Sequence, residues 1–254
     1  MFPSRFQILD RVHTSARSTI FRAWDDSGAR EVAIKTRPAA LENFYLREVA
    51  ALRRVRHPGV VELLESAATP EGSYLVVEWL SGTTLESRLE HGTVPIADLG
   101  NLARQGLEAL DVIHKVGLIH RDVTPANLML TQVLKLIDFE LSHPLQTGAP
   151  EDGAVGTVQY MAPEQFRKRP LDARCDLYAF GTVLYQAACG IAPFPGTEAA
   201  QIITAHLYHQ PASPRRIRPD LPSSLANLID RLLQRDPEAR PPSAAAALGF
   251  LHKD

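Results

Sequence analysis

The sequence predicts an α+β fold with two unequal lobes: a small β-rich N-terminal lobe carrying one helix, and a larger, mainly helical C-terminal lobe. Three observations carry this. Short β-type runs bracket one amphipathic helix in the first third of the chain. A Gly/Ser/Thr joint follows, and beyond it the apolar residues recur at helical spacing.

In chain order, Arg30-Glu31-Val32-Ala33-Ile34-Lys35 and Tyr74-Leu75-Val76-Val77-Glu78-Trp79 are strand runs, the second rich in β-branched and aromatic residues. Between them Leu41 to Val55 has helical spacing, with Phe44, Glu48, Leu52 and Val55 on one face. Ser81-Gly82-Thr83-Thr84 is the joint. Leu99, Leu102, Leu107, Leu110 and Ile113 trace an apolar helix stripe. Leu128-Met129-Leu130 and Leu134-Lys135-Leu136-Ile137 form a small hairpin. Ser142 to Gly156, punctuated by Pro144, Gly148, Pro150 and Gly153, is expected to be a long mobile loop. Leu177 to Cys189 is apolar almost throughout, so it is expected as a buried core helix. Leu225 to Leu233 is a further amphipathic helix, ended by Arg235-Asp236-Pro237, and Ala244 to Ala247 favours helix as well.

The bulk composition narrows the function. The chain has 254 residues, 45% hydrophobic and 22% charged, which suits a globular domain with a substantial core. A net charge of -2 argues against a nucleic-acid binder with a strongly basic surface. Cys175 and Cys189 read as small hydrophobes in a reducing compartment. No signal pattern opens the chain and no apolar run reaches membrane-spanning length, so a cytoplasmic protein is expected. No oligomeric state is read from the sequence.

A cleft between two lobes is a natural ligand site, and five polar residues suggest what it does. Glu48 lies on the apolar face of its helix, where a lone carboxylate is costly to bury. Lys35 is an equally anomalous charge in an apolar strand, so each is expected to neutralise the other. A lysine held in this way is a good binder of phosphate oxygens. Asp122 and Asn127 share a Pro125-containing loop, and Asp138 ends a strand. Asn127 and Asp138 offer hard oxygen donors suited to Mg²⁺, which leaves Asp122 to orient a hydroxyl. Taken singly, each of these residues reads better as a turn or surface residue. His114, His206 and His209 show no metal-ligand spacing.

The motifs Val32-Ala33-Ile34-Lys35, Glu48, His120-Arg121-Asp122 to Asn127, Asp138-Phe139 and Met161-Ala162-Pro163-Glu164 together resemble the eukaryotic-type serine/threonine protein kinase family, in its bacterial branch. Asp176, Gly181 and Arg240 match further family positions. The resemblance runs from about Phe6 to Leu251, so residues 1–254 are expected to be one protein-kinase-like domain: an N-lobe to about residue 80, a hinge at about 78–84 and a C-lobe from 81. It implies ATP with Mg²⁺, or Mn²⁺ in its place, and protein substrates bearing Ser or Thr. By position, Asp122 is the catalytic base and Asn127 and Asp138 are the metal ligands. Lys35, paired with Glu48, would hold the α- and β-phosphates. Val77 is the gatekeeper, and Glu78 and Leu80 offer backbone groups to adenine. Val12, His13, Ser15, Ser18, Ile20 and Ala33 complete the nucleotide site, and Glu164 pairs with Arg240.

The chain departs from the family pattern at three places. Three glycines of the phosphate-covering loop align with His13, Ser15 and Ser18, a change expected to stiffen the loop or hold it away from ATP. Arg17 near its tip could offer charge to a phosphate, but solvent exposure is the plainer expectation. Glu140 replaces a glycine and is expected to add negative charge near the metal. Thr124 replaces a lysine that would steady the γ-phosphate. Two readings therefore stay open: an active non-specific serine/threonine protein kinase, able to phosphorylate itself and with weak activity allowed for, or a pseudokinase serving as a nucleotide-sensing or protein-interaction module. In the family this chain resembles, an arginine at the position of Arg121 often receives a phosphate from the mobile loop, which makes Ser142 and Thr147 candidates. Glu151 or Asp152 could supply the anion instead, but solvation of both acids is the plainer expectation.

Overall fold

The computed structural model describes residues 3–145 and 156–251. Its elements run β1 (Phe6–Thr14), β2 (Thr19–Asp25), β3 (Arg30–Pro38), α1 (Glu42–Arg54), β4 (Leu63–Thr69), β5 (Gly72–Glu78), β6 (Thr83–Thr84), α2 (Leu85–Leu89), α3 (Ile96–Lys115), β7 (Leu118–Ile119), β8 (Leu128–Leu130), β9 (Leu134–Leu136), β10 (His143–Pro144), α4 (Pro163–Phe166), α5 (Arg174–Cys189), α6 (Ala199–Tyr208), α7 (Pro214–Ile217), α8 (Ser223–Leu232) and α9 (Ala244–Leu248).

The first five strands form one antiparallel sheet in the order β1-β2-β3-β5-β4, so β3 is central. Side chains alternate across a strand, and this divides β3 cleanly. Val32 and Ile34 join Phe6, Ala23, Tyr74 and Val76 in a cluster on one face. Ala33, Lys35 and Arg37 therefore point to the other face, where Tyr45 and Val49 of α1 pack on Leu75. The strand runs on past the expected Arg30–Lys35 to Pro38, which places Arg37 beside Lys35. The helix expected over Leu41 to Val55 spans Glu42–Arg54.

The C-terminal part is organised around α5, whose side chains are buried on nearly every side, as its apolar run requires. Helix α3 lies so close to it that a Cβ on Gly106 would sit 2.2 Å from Phe180 Cζ. The α8 residues Leu228, Ile229 and Leu232 close the other side. The hairpin of β8 and β9 forms as expected, and β9 leads directly into the Asp138 turn.

Several expectations need correction. Ser142 is not part of a mobile loop: it is 4% exposed, and the following His143 and Pro144 pair with Ile119 and Leu118. A phosphate on Ser142 would have to be buried. Thr147, Glu151 and Asp152 lie outside the described residues. Helices α6 and α7 were not foreseen, and His206 of α6 is fully buried, its Nδ1 2.8 Å from the Tyr178 hydroxyl. Burial pushes the His206 pKa down to about 4. Cys175 and Cys189 are free thiols, the first buried. Among the described residues no helix is long and apolar enough to cross a membrane.

Candidate active site

The loop carrying Asp122 is held from beneath by Asp176. That carboxylate, fully buried in the first turn of α5, accepts the backbone N–H of His120 and of Arg121, each at 2.8 Å, and His114 Nε2–H at 2.9 Å. Burial alone would raise the Asp176 pKa. The His114 hydrogen bond and the surrounding donors outweigh it and bring the pKa below the usual carboxylate value. The grip holds Arg121 at φ +69°, a left-handed conformation that costs a non-glycine residue about 1–3 kcal/mol. His120 and Asp176 look unremarkable as isolated residues, and His114 carried no ligand pattern. Their shared role comes from a contact across 62 residues.

Asp122 is oriented at both oxygens. Asn127 Nδ2 donates to its Oδ2 at 2.9 Å and to its backbone carbonyl at 2.8 Å. Thr157 donates to Oδ1 through its N–H and its hydroxyl, both at 3.2 Å. With the Asn127 amide nitrogen turned to Asp122, the amide oxygen is the group left for a cation. The Ile137 N–H donates to the Asn127 carbonyl at 3.0 Å, and His120 Nε2–H donates to the Ile137 carbonyl at 3.1 Å. These bonds seat Asp138, at φ +60°, beside the Asp122 loop.

Lys35 pairs with Glu48 at 3.0 Å, as expected, and with Asp138 at 2.7 Å. Burial works to lower the Lys35 pKa, but the carboxylates of Glu48 and Asp138 outweigh it and raise the value. Burial likewise works to raise the Asp138 pKa, and Lys35 reverses this and lowers it, so the pair is charged. Asp138 and Asn127 supply one carboxylate and one amide oxygen, donors suited to Mg²⁺. Among the described residues no group of three or more His, Cys, Asp or Glu is placed to hold a metal. A cation here would need phosphate oxygens and water to complete its shell, which fits a nucleotide-borne ion.

Glu48 has a second partner that was not foreseen. Arg37 Nη2 donates to Glu48 Oε2 and to Glu140 Oε2, both at 2.7 Å, and its side chain is 1% exposed. Arg17 is not simply solvated either: its Nη1 donates to Glu140 Oε1 at 2.7 Å, and its guanidinium lies 5.1 Å from the Phe44 ring centroid. Glu140 is therefore not an uncompensated charge near a metal. The order Arg17–Glu140–Arg37–Glu48–Lys35–Asp138 alternates in sign from end to end.

In the loop between β1 and β2, the Ser15 hydroxyl accepts the N–H of Arg17 and of Ser18, both at 3.2 Å. The serine thus closes the turn internally. Ser18 is buried, whereas Val12 and His13 are exposed. Ile20 faces Lys35 across the sheet, and Ala33 faces Val77. The Glu78 N–H donates to the Glu62 carbonyl, so that group is already used within the fold. Its side chain takes Lys135 at 2.6 Å, and Leu80 is half-buried next to it. Thr124 is buried. Glu164 and Arg240 form a two-bonded pair at 2.6 and 2.9 Å, as expected.

The profile of the protein kinase domain matches residues 10–249. The chain belongs to the protein kinase domain family. It is similar to the DNA damage-responsive serine/threonine-protein kinase RqkA of Deinococcus radiodurans, 34% identical over 97% of this chain and 39% of that protein. It is also similar to the serine/threonine-protein kinase PksC of Streptomyces coelicolor, 33% identical over 95% of this chain and 47% of that protein. A third relative is the serine/threonine-protein kinase PknB of Mycolicibacterium smegmatis, 32% identical over 95% and 41%. The chain thus spans under half the length of these relatives. In a kinase domain the strand lysine pairs with the helix glutamate, and in this one Lys35 pairs with Glu48 and also with Asp138.

Proposed function

We propose that this domain transfers the γ-phosphoryl group of ATP to a Ser or Thr hydroxyl of a protein, including hydroxyls of its own chain. The observation that carries the reading is Lys35 bonded at once to Glu48 and Asp138, next to an Asp122 whose oxygens are already oriented. The relatives named as serine/threonine kinases support the same reading.

Phosphoryl transfer depends mostly on positioning and charge. Lys35 would bind the α- and β-phosphates. Asp122 would orient the incoming hydroxyl and take its proton, while the hydroxyl oxygen bonds to the γ-phosphorus and the β–γ bridge bond breaks to leave ADP. Asn127 and Asp138 would hold Mg²⁺, or Mn²⁺, which when bound neutralises phosphate charge. Ile20, Ala33, Val77 and Leu80 would line the base pocket, with the Glu78 and Leu80 backbone meeting adenine across a hinge at 78–84. The free thiols of Cys175 and Cys189 fit a reducing, cytoplasmic setting.

The test is incorporation of labelled phosphate from Mg·ATP, with an Asp122→Asn control expected to lose about 10²–10⁴-fold. Labelling that persists in the control would refute these roles. A Mg²⁺-dependent thermal shift with ATP, without labelling by the unaltered chain, would establish the nucleotide-sensing alternative instead.

A further inference from the structure

Four parts that must come together for phosphoryl transfer meet at Glu140: the phosphate-covering loop through Arg17, strand β3 through Arg37, helix α1 through Arg37 and Glu48, and the Asp138 turn through the chain itself. We propose that Glu140 is a positioning residue for the nucleotide. Through Arg17 it holds the glycine-free loop closed over the Asp138 turn, and through Arg37 it holds Glu48 against Lys35. The proposal rests on the phosphoryl-transfer reading and deepens it.

Charge balance and burial argue for this. Arg37 is almost fully enclosed, and a guanidinium there needs compensating carboxylate. Glu48 cannot compensate it alone, because Glu48 also serves Lys35. With glycine at 140, three cations would share two carboxylates. Arg37 and Glu140 thus explain each other. Both Arg37 bonds run through one nitrogen, Nη2, so the two carboxylates are drawn to a single point. Lys35 Nζ also lies 3.8 Å from the same Glu140 oxygen that Arg37 holds.

Loop chemistry supports the other half. Glycines would let the loop's backbone N–H groups approach phosphate closely. In this loop the Ser15 hydroxyl takes two of those N–H groups for the turn itself. What positions the loop is instead a side chain, Arg17, bonded to Glu140 and lying over Phe44 of α1. A loop closed in this way needs no flexible glycine. Its closure is tied to the same carboxylate that steadies α1.

The experiment measures the Kd of Mg·ATP by calorimetry for the unaltered chain and for Arg17→Ala, Arg17→Lys, Glu140→Gln and the Arg17→Ala/Glu140→Gln pair. Labelling and thermal melting are recorded alongside. Arg17→Ala should weaken binding about fivefold, the scale of a half-exposed ion pair, and Arg17→Lys should recover most of it. Glu140→Gln should weaken binding about tenfold or more. In that background, Arg17→Ala should add less than about twofold, because the partner is already gone. An unchanged Kd in Arg17→Ala, additive losses in the double variant, or tighter binding in Glu140→Gln would each overturn the proposal. The last would make the contact a lock rather than a brace. Should Glu140→Gln fail to fold, the Arg17→Ala and Arg17→Lys pair decides, since the Arg17 side chain is half-exposed and lies outside the core. A chain that binds Mg·ATP but labels nothing would sink the transfer reading and leave the Kd comparison standing.

Discussion

Arg240→Met should be among the most damaging single changes to the stability of this domain, although Arg240 takes no part in the Lys35 cluster. Its guanidinium is fully buried, bonds both Glu164 oxygens, and also donates to the carbonyls of Gln234, Arg174 and Arg235 at 2.7, 2.8 and 3.2 Å. It lies 4.8 Å from the Tyr178 ring centroid. Removing it leaves the Glu164 carboxylate, itself only 6% exposed, without its counter-charge. Breaking a buried pair from one side costs about 3–5 kcal/mol. In a chain of this size that corresponds to a fall in Tm of roughly 6–20 °C. Urea and thermal unfolding followed by circular dichroism measure it. The reasoning also predicts that Glu164→Met with Arg240→Met is less damaging than the sum of the two, because the stranded charge is gone. Additive losses, or a single-variant cost below about 1 kcal/mol, would refute it.

Other predictions are independent of this one. Asp138→Asn should abolish the Mg²⁺ dependence of ATP binding in calorimetry while leaving the melting temperature within a few degrees. Gly106→Ala should destabilise by about 1–3 kcal/mol in urea unfolding, because its Cβ would overlap the Phe180 ring. His206, depressed to about 4 by burial, is folded in its neutral form. Its contribution is complete above the unfolded value of about 6.5 and is lost as pH falls toward 4, a change of at most about 3 kcal/mol. His206→Gln should therefore flatten the decline in urea midpoint between pH 6.5 and 4.5.

The elements that were legible beforehand are those whose signal is local. Helix α5 announced itself by an apolar run, and α1 by a stripe that also exposed Glu48 as an anomaly. Lys35 was legible for the same reason, as a charge in an apolar strand. Arg37 was not, because it stands next to Pro38, where a strand ordinarily ends. Only the ladder to β5, which pairs Arg37 with Ser73, shows that β3 continues. Glu140 and Arg17 looked like damage and solvent exposure because their contact spans 123 residues, a separation no periodicity reports. Helix α6 was missed because Ala199–Tyr208 mixes alanine, polar and apolar residues without a clean stripe, and its buried His206 looked polar.

Asp176 has a further consequence, for how the domain opens. The amide hydrogens of His120 and Arg121 are bonded not to a neighbouring loop but to the most enclosed helix of the molecule. Their exchange with deuterated solvent should require α5 to come apart. The sheet of β1 to β5 has its own small clusters and can open without that. In hydrogen exchange the Asp122 loop should therefore be protected to nearly the global unfolding free energy. The half of the site that grips phosphate should exchange earlier and release nucleotide first. The chain would lose its hold on ATP before it lost the shape of its base.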